Sequence, residues 1–152
     1  IMIRYFKGNI LKSKAYILVN PVNCIGIMGR GLALEFKKRY LYNYYAYVKA
    51  CKSKIVLPGN LFFYNEKDKC IANFPTKINW RDDSKLSYIE DGLNDLVRKI
   101  LYERKQCGKC SVAIPALGCG CGGLDWDIVL PLIELKISVL PDDIDIEIYT
   151  PI

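Results

Sequence analysis

Apolar and polar residues alternate along this chain with two different periods. Short apolar runs suited to strands occur at "AYILVN" (15–20), "NLFFYNE" (60–66), "KCIANFP" (69–75) and "SVAIPAL" (111–117), with a polar "NEKDK" turn between the middle two. "MIRYFKG" (2–8) and "DIEIYT" (145–150) read as an opening and a closing strand. Helical spacing runs from Gly31 to about Arg39, through Leu32, Leu34 and Phe36, and ends in a basic turn that suits the helix dipole. A second helical piece covers 42–51. The clearest helix spans 82–105, where Leu86, Ile89, Leu93, Leu96, Val97 and Ile100 recur and Ser84 is the expected N-cap. Another helix begins at Asp125, with Pro131 in its first regular turn. Strands alternating with helices predict one layered α/β domain over residues 2–152 with a mostly parallel central sheet. Ile1, ahead of Met2, is read as an added residue and left out of the fold.

Two loops break these patterns in the same way. "NCIGIMGRGLA" (23–33) holds Gly26, Gly29 and Gly31, and "ALGCGCGGLDW" (116–126) holds Gly118, Gly120, Gly122 and Gly123. Glycine loses more backbone freedom on folding than any other residue, so such density needs a reason. Each loop follows an apolar strand and precedes a helix, the position where α/β proteins bind ligands. Exposed loop amides and helix N-termini attract anions. Neither loop is a Walker A motif, and "GIMGRG" has the wrong glycine order for a dinucleotide fingerprint. Two such loops suggest a diphosphate gripped from two sides; tight turns without a ligand are the alternative.

Composition narrows the chemistry. The chain contains no histidine, which excludes Ser-His-Asp and Cys-His catalysis and every His-based metal site. Chemistry must therefore rest on Lys, Asp, Glu, Tyr, Cys or bound water. Seven cysteines, an odd number without extracellular signatures, point to a reducing compartment, the cytoplasm. Cys107 and Cys110 with Cys119 and Cys121 could be read as a four-thiolate zinc site, but the second pair is a CxC inside a glycine loop, outside usual ligand spacings; no metal and no cofactor is expected. The late apolar stretch "IVLPLIELKISVL" is broken by Pro131, Glu134 and Lys136, so no membrane span is expected. Residues 1–60 carry eleven Lys/Arg against one acid, Glu35, and the rest of the chain eleven against fifteen. That asymmetry is either a solvated helix face or a rim attracting an anionic partner. The "YLYNYYAY" run (40–47) could stack on bases, although its spacing favours core packing.

The motifs resemble those of the macrodomains, ADP-ribose-binding α/β/α modules. "ILVNPVNCIGIMGRGLALEFK" is similar to the family's "VNxxN … G-x-G-x-A" segment, "IPALGCGCGGLDWDIV" to its second phosphate loop, and "KGNIL" (7–11) to its adenine-contacting segment. The resemblance implies a three-layer α/β/α fold with a mixed, mostly parallel sheet. It also implies that Asn9 and Ile10 contact the adenine end, that Asn23 bonds the distal ribose, and that Asn20 shapes that turn. Gly29 and Gly31 would line one side of the diphosphate, and Gly118, Cys119, Gly120, Cys121, Gly122 and Gly123 the other.

Within the family, "NFPTKINWRDDS" (73–84) is similar to the branch of terminal ADP-ribose protein glycohydrolases and DNA ADP-ribosyl glycohydrolase antitoxins. In that branch a Thr-Lys pair, here Thr76 and Lys77, supplies a catalytic lysine, and the resemblance implies that Thr76 is among the ADP-ribose-binding residues. The protein-directed enzymes carry an aspartate in the second loop, where this chain has Gly122; the nearest acid is Asp125. The implied partners are ADP-ribose and an ADP-ribosylated macromolecule, DNA or protein, met by a monomer. Lysis of a glycosidic bond passes through an oxocarbenium-like state. With no carboxylate dyad evident, Lys77 would act as nucleophile on the ring-opened sugar or by polarising the scissile linkage. The nucleophilic role would require its basicity to be lowered by burial or by a cation such as Arg81. An ADP-ribose reader without turnover and a deacylase of O-acyl-ADP-ribose are the competing readings.

Overall fold

The apolar runs become strands because both of their faces are covered. In the computed structural model, which describes residues 2–108 and 110–151, one sheet contains β1 (Met2–Phe6), β2 (Ile17–Val22), β3 (Phe62–Glu66), β4 (Lys69–Pro75), β5 (Cys110–Ile114) and β6 (Ile144–Tyr149). Their order is β1-β6-β5-β2-β4-β3, parallel throughout except for the edge strand β3, which runs antiparallel to β4. The β3–β4 connection is the tight turn at Lys67 and Asp68, with Lys67 at φ 55°.

Alternate strand residues face different helices. Ile17, Val19, Ala72, Phe74, Val112 and Ile114 pack against α3 (Leu86–Cys107) and α4 (Trp126–Ile137) through Ile89, Leu93, Leu96, Ile100, Val129 and Ile133. On the opposite face Leu18, Ile71 and Ala113 meet Phe36 of α1 (Gly31–Arg39) and Tyr40 just beyond it. Strands buried on both faces read as continuous apolar runs, which is why they were recognisable. Val22, Met28, Tyr47 and Val56 extend that second layer under α2 (Leu41–Lys52). The result is a three-layer α/β/α sandwich.

Helical spacing sorts the tyrosine run. Tyr40 and Tyr47, two turns apart, are buried, whereas Tyr42 and Tyr45 are exposed. A buried polar cluster fixes α2 on the sheet: Asn20 Nδ2 of β2 and Asn43 Nδ2 of α2 donate to Asn73 Oδ1 of β4 at 3.1 and 3.2 Å, and Asn73 Nδ2 returns a bond to Asn43 Oδ1 at 2.8 Å.

Three local expectations need correction. Ser84 does not cap α3; the cap position is Lys85 without a side-chain bond, and Ser84 is buried against the second glycine loop. Pro131 lies inside α4 beyond its first turn, so the helix forgoes the hydrogen bond that residue would have donated. β5 ends at Ile114, and Pro115–Leu117 already belong to the loop that follows. Among the described residues no helix is long and apolar enough to cross a membrane.

Candidate functional site

Five parallel strands end at one edge of the sheet, and the segments leaving them enclose a cleft of about 940 Å³. That volume suits a nucleotide-sized ligand. The first glycine loop leaves β2, Thr76 and Lys77 follow β4, the second glycine loop follows β5, and Gly8–Ile10 and Tyr149–Pro151 follow β1 and β6.

Asn23 builds the first loop from inside. Its Oδ1 accepts from the Ile25 and Ile27 N–H groups at 3.1 and 3.3 Å and from the Tyr47 hydroxyl at 2.8 Å, while its Nδ2 donates to Ile27 O at 2.8 Å. Such a net leaves Asn23 one amide proton for a ligand. The loop then enters α1, whose cap residue, Arg30, makes no side-chain bond to the first turn. Gly31, Leu32 and Ala33 line the cleft, so this uncapped N-terminus opens onto it. The second loop differs: Asp125 Oδ1 caps α4 by accepting from Asp127 N–H at 2.9 Å, and neither residue lines the cleft. Among the described α-helices, α1 is the one whose first residues line the cleft.

The glycines divide by cause. Gly118, at φ 74°, would press a β-carbon to 2.7 Å from Leu124 Cδ1, and Gly122 would press one to 2.2 Å from Ser84 Oγ. Those positions are glycine for the protein's own packing. Gly29 and Gly120 are different. Neither has a left-handed φ; a β-carbon would meet only Ile27 Cγ2 at 3.4 Å at the first and nothing within 4 Å at the second. Both line the cleft, so the space that a side chain would fill is ligand space.

Lys77 bridges two walls. Its Nζ donates to Trp80 O and Asp82 O, both at 3.1 Å, and to Cys121 O at 3.3 Å. Three acceptors match the three donors of an ammonium, so the lysine ties the 80–82 segment to the second glycine loop. The Arg81 guanidinium lies over the Trp80 ring, 4.8 Å from the centroid. Glu35 is the sole acid among the described cleft residues, and it pairs with Lys38 at 3.8 Å on α1. Burial, with a smaller push from Asp125, raises the Cys119 thiol to about 11, which makes it a poor nucleophile at neutral pH.

Of the residues singled out in the sequence, Asn9, Ile10, Asn23, Gly29, Gly31 and Thr76 line the cleft, as do Lys77, Gly118, Cys119, Gly120, Cys121 and Gly122. Asn9 Oδ1 also accepts from Leu11 N–H at 3.0 Å and starts a 3-10 turn over Ile10–Lys12. Asn20 lies outside the cleft, fully buried, with its amide 3.8 Å from the Met28 sulfur at the back of the loop. Gly123 also lies outside, facing Asp83. Sequence reasoning missed Trp80 and the Tyr149–Pro151 wall. The CxxC and CxC pairs sit at opposite ends of β5, and among the described residues no three potential ligands cluster for a metal ion. Most of the basic charge of residues 1–60 lies elsewhere: Arg30 and Lys77 are the bases lining the cleft, while Lys12, Lys38 and Arg39 line a smaller side groove.

Comparison with known proteins matches residues 19–133 to the Macro domain family. The chain is 46% identical to a DNA ADP-ribosyl glycohydrolase of Mycobacterium tuberculosis across 99% of its own length and 42% of that protein. It therefore spans under half the length of that relative. Among solved structures, the macrodomain of Thermus aquaticus DarG superposes with a TM-score of 0.91 at 41% identity, covering 99% of both chains. Thermosipho africanus DarTG in complex with ADP-ribose superposes at 0.86 with 34% identity, covering 99% of this chain and 42% of that one.

Proposed function

Because the chain belongs to the macro domain family, we propose that its cleft binds ADP-ribose and that it removes single ADP-ribose groups from modified DNA. The observation that carries this reading is the pairing of Gly29 and Gly120, two sterically unconstrained glycines on facing loops, with the uncapped start of α1 between them and Lys77 beside them. The diphosphate lies along the loop amides, the adenine reaches Asn9 and Ile10, and the distal ribose reaches Asn23 and Lys77.

The reaction breaks the bond from the ribose anomeric carbon to the base; water supplies the hydroxyl to the sugar and a proton to the base. Lys77 serves it in one of two ways. As an ammonium it stays in its carbonyl cradle and polarises the departing linkage. As a nucleophile it leaves the cradle, loses a proton and attacks the anomeric carbon of the ring-opened sugar; the base departs with a proton, and water hydrolyses the resulting lysine imine to free the sugar. No metal takes part. DNA is preferred to a protein carboxylate because Ser84 holds residue 122 to glycine, so the second loop offers no acid at that position, and Asp125, which caps α4, does not line the cleft. The related proteins named as DNA ADP-ribosyl glycohydrolases support the same preference. A reducing compartment, the cytoplasm, is supported by seven cysteines, none of them paired in a disulfide.

Release of free ADP-ribose from ADP-ribosylated single-stranded DNA, ADP-ribosylated protein and O-acyl-ADP-ribose tests the assignment. Turnover of the DNA adduct is expected. Tight ADP-ribose binding without release from any of the three would make the domain a reader, and release from the acyl ester alone a deacylase.

A further inference from the structure

Trp80 stands at the rim of the cleft with 39% of its surface exposed, directly on the segment that Lys77 grips. Arg81 lies over its ring at 4.8 Å, and the Arg81 N–H is held by Asn79 Oδ1 at 3.1 Å. Ile25, Ile27 and Ile78 are also exposed, and the Cys24 N–H to Ile78 O bond at 2.9 Å joins the two segments that carry them. Among the described residues no carboxylate forms an ion pair with Arg81. An indole at the mouth of the cleft, carrying a guanidinium that no carboxylate neutralises, offers an aromatic surface and a positive charge together to whatever the cleft holds.

We infer that Trp80 and Arg81 form a stacking platform for the nucleobase that carries the ADP-ribose, with Arg81 placed to meet a phosphate of the same strand. The inference rests on the DNA reading of the cleft and specifies how that substrate is recognised. A base in a duplex hides its faces in the stack, so the platform takes single-stranded DNA or a base turned out of the helix. Aromatic stacking accepts every base, and a flanking guanidinium supplies charge without reading sequence. Trp80 is a specificity residue for the leaving group; the sugar and diphosphate are held elsewhere.

Steady-state kinetics of Trp80→Leu and Trp80→Phe on an ADP-ribosylated oligonucleotide and on O-acyl-ADP-ribose test the inference. The ratio of the two KM values should rise about fivefold or more in Trp80→Leu and stay near wild type in Trp80→Phe. An unchanged ratio in Trp80→Leu, or equal losses in both variants, would overturn the platform while leaving the glycohydrolase reading intact. That reading is tested separately by wild-type turnover of the oligonucleotide. A binding readout covers an inactive preparation. In a Trp126→Phe background, short unmodified oligothymidine should quench Trp80 fluorescence, less so as salt rises. Quenching by a polyglutamate peptide in place of the oligonucleotide would overturn the nucleobase assignment.

Discussion

Ser84 and Gly122 hold each other in place: the Ser84 N–H donates to Gly122 O at 2.9 Å, and Ser84 Oγ occupies the point where a β-carbon on residue 122 would stand. A β-carbon there would also lie 2.5 Å from Gly118 O, a backbone atom already fixed by the Leu124 N–H at 2.8 Å. Gly122→Ala is expected to cost about 1–3 kcal/mol through overpacking. That corresponds to a Tm lower by several degrees in thermal unfolding, at roughly 2–4 °C per kcal/mol for a domain of this size. Adding Ser84→Gly should recover part of the loss, since the carbonyl contact remains. Full stability in Gly122→Ala would show that the loop is free to move.

Gly29→Val and Gly120→Val should behave in the opposite way. Neither site requires glycine for packing, so both variants should unfold near the wild-type temperature. Both should lose ADP-ribose affinity, because the new side chain projects into the cleft. Calorimetric titration checks the second point, and unchanged affinity in both would place the ligand elsewhere.

Lys77→Ala should slow ADP-ribose release by about 10²-fold or more and still bind free ADP-ribose. Lys77→Arg separates the two roles. Guanidinium keeps its proton and cannot act as a nucleophile, so near-full activity in that variant would identify Lys77 as a fixed charge. Loss in both supports attack by the amine. EDTA should alter neither rate nor affinity.

Asp95 gives the fold an acid-sensitive joint. Its carboxylate accepts from the Leu61 N–H at 2.8 Å, from Arg98 at 3.0 Å and from Lys99 at 2.6 Å. Burial pushes this carboxyl up, but Lys99, the Leu61 amide and Arg98 together pull it below the ordinary carboxylate value. A group with a depressed folded-state value stabilises fully above its unfolded value, near 3.9, and loses that contribution as pH falls through the folded value. Asp95→Asn should therefore cost about 1–3 kcal/mol at neutral pH. The difference in Tm from wild type should hold above about pH 5 and shrink in more acidic buffer.

Much of the fold was legible because burial on both faces writes continuous apolar runs, as at "AYILVN", and because α3 repeats its apolar positions at helical spacing. A serine before an amphipathic run looks the same in sequence whether it caps the helix or, as Ser84 does, wedges against a distant loop. The partner that decides, Gly122, is remote in sequence. The resemblance placed Lys77 beside the glycine loops but could not show that its donors are committed to three backbone carbonyls. Tyr149, Thr150 and Pro151 were missed for a topological reason: a closing strand lines a site only if the strand order brings it there. Here β6 sits between β1 and β5.

That placement governs when the cleft comes into being. Met2 pairs with Asp145, and the Thr150 N–H donates to Phe6 O at 2.8 Å, so the wall formed by Gly8–Ile10 and Tyr149–Pro151 joins the two ends of the described chain. Contacts so distant in sequence close late and slowly. During synthesis, a chain halted before Ile144 would already possess both glycine loops and Lys77, with β1 still waiting for β6, its one neighbour among the described strands. The cleft is therefore completed only when β6 inserts and brings β1 with it, adding the Gly8–Ile10 and Tyr149–Pro151 wall to loops already in place.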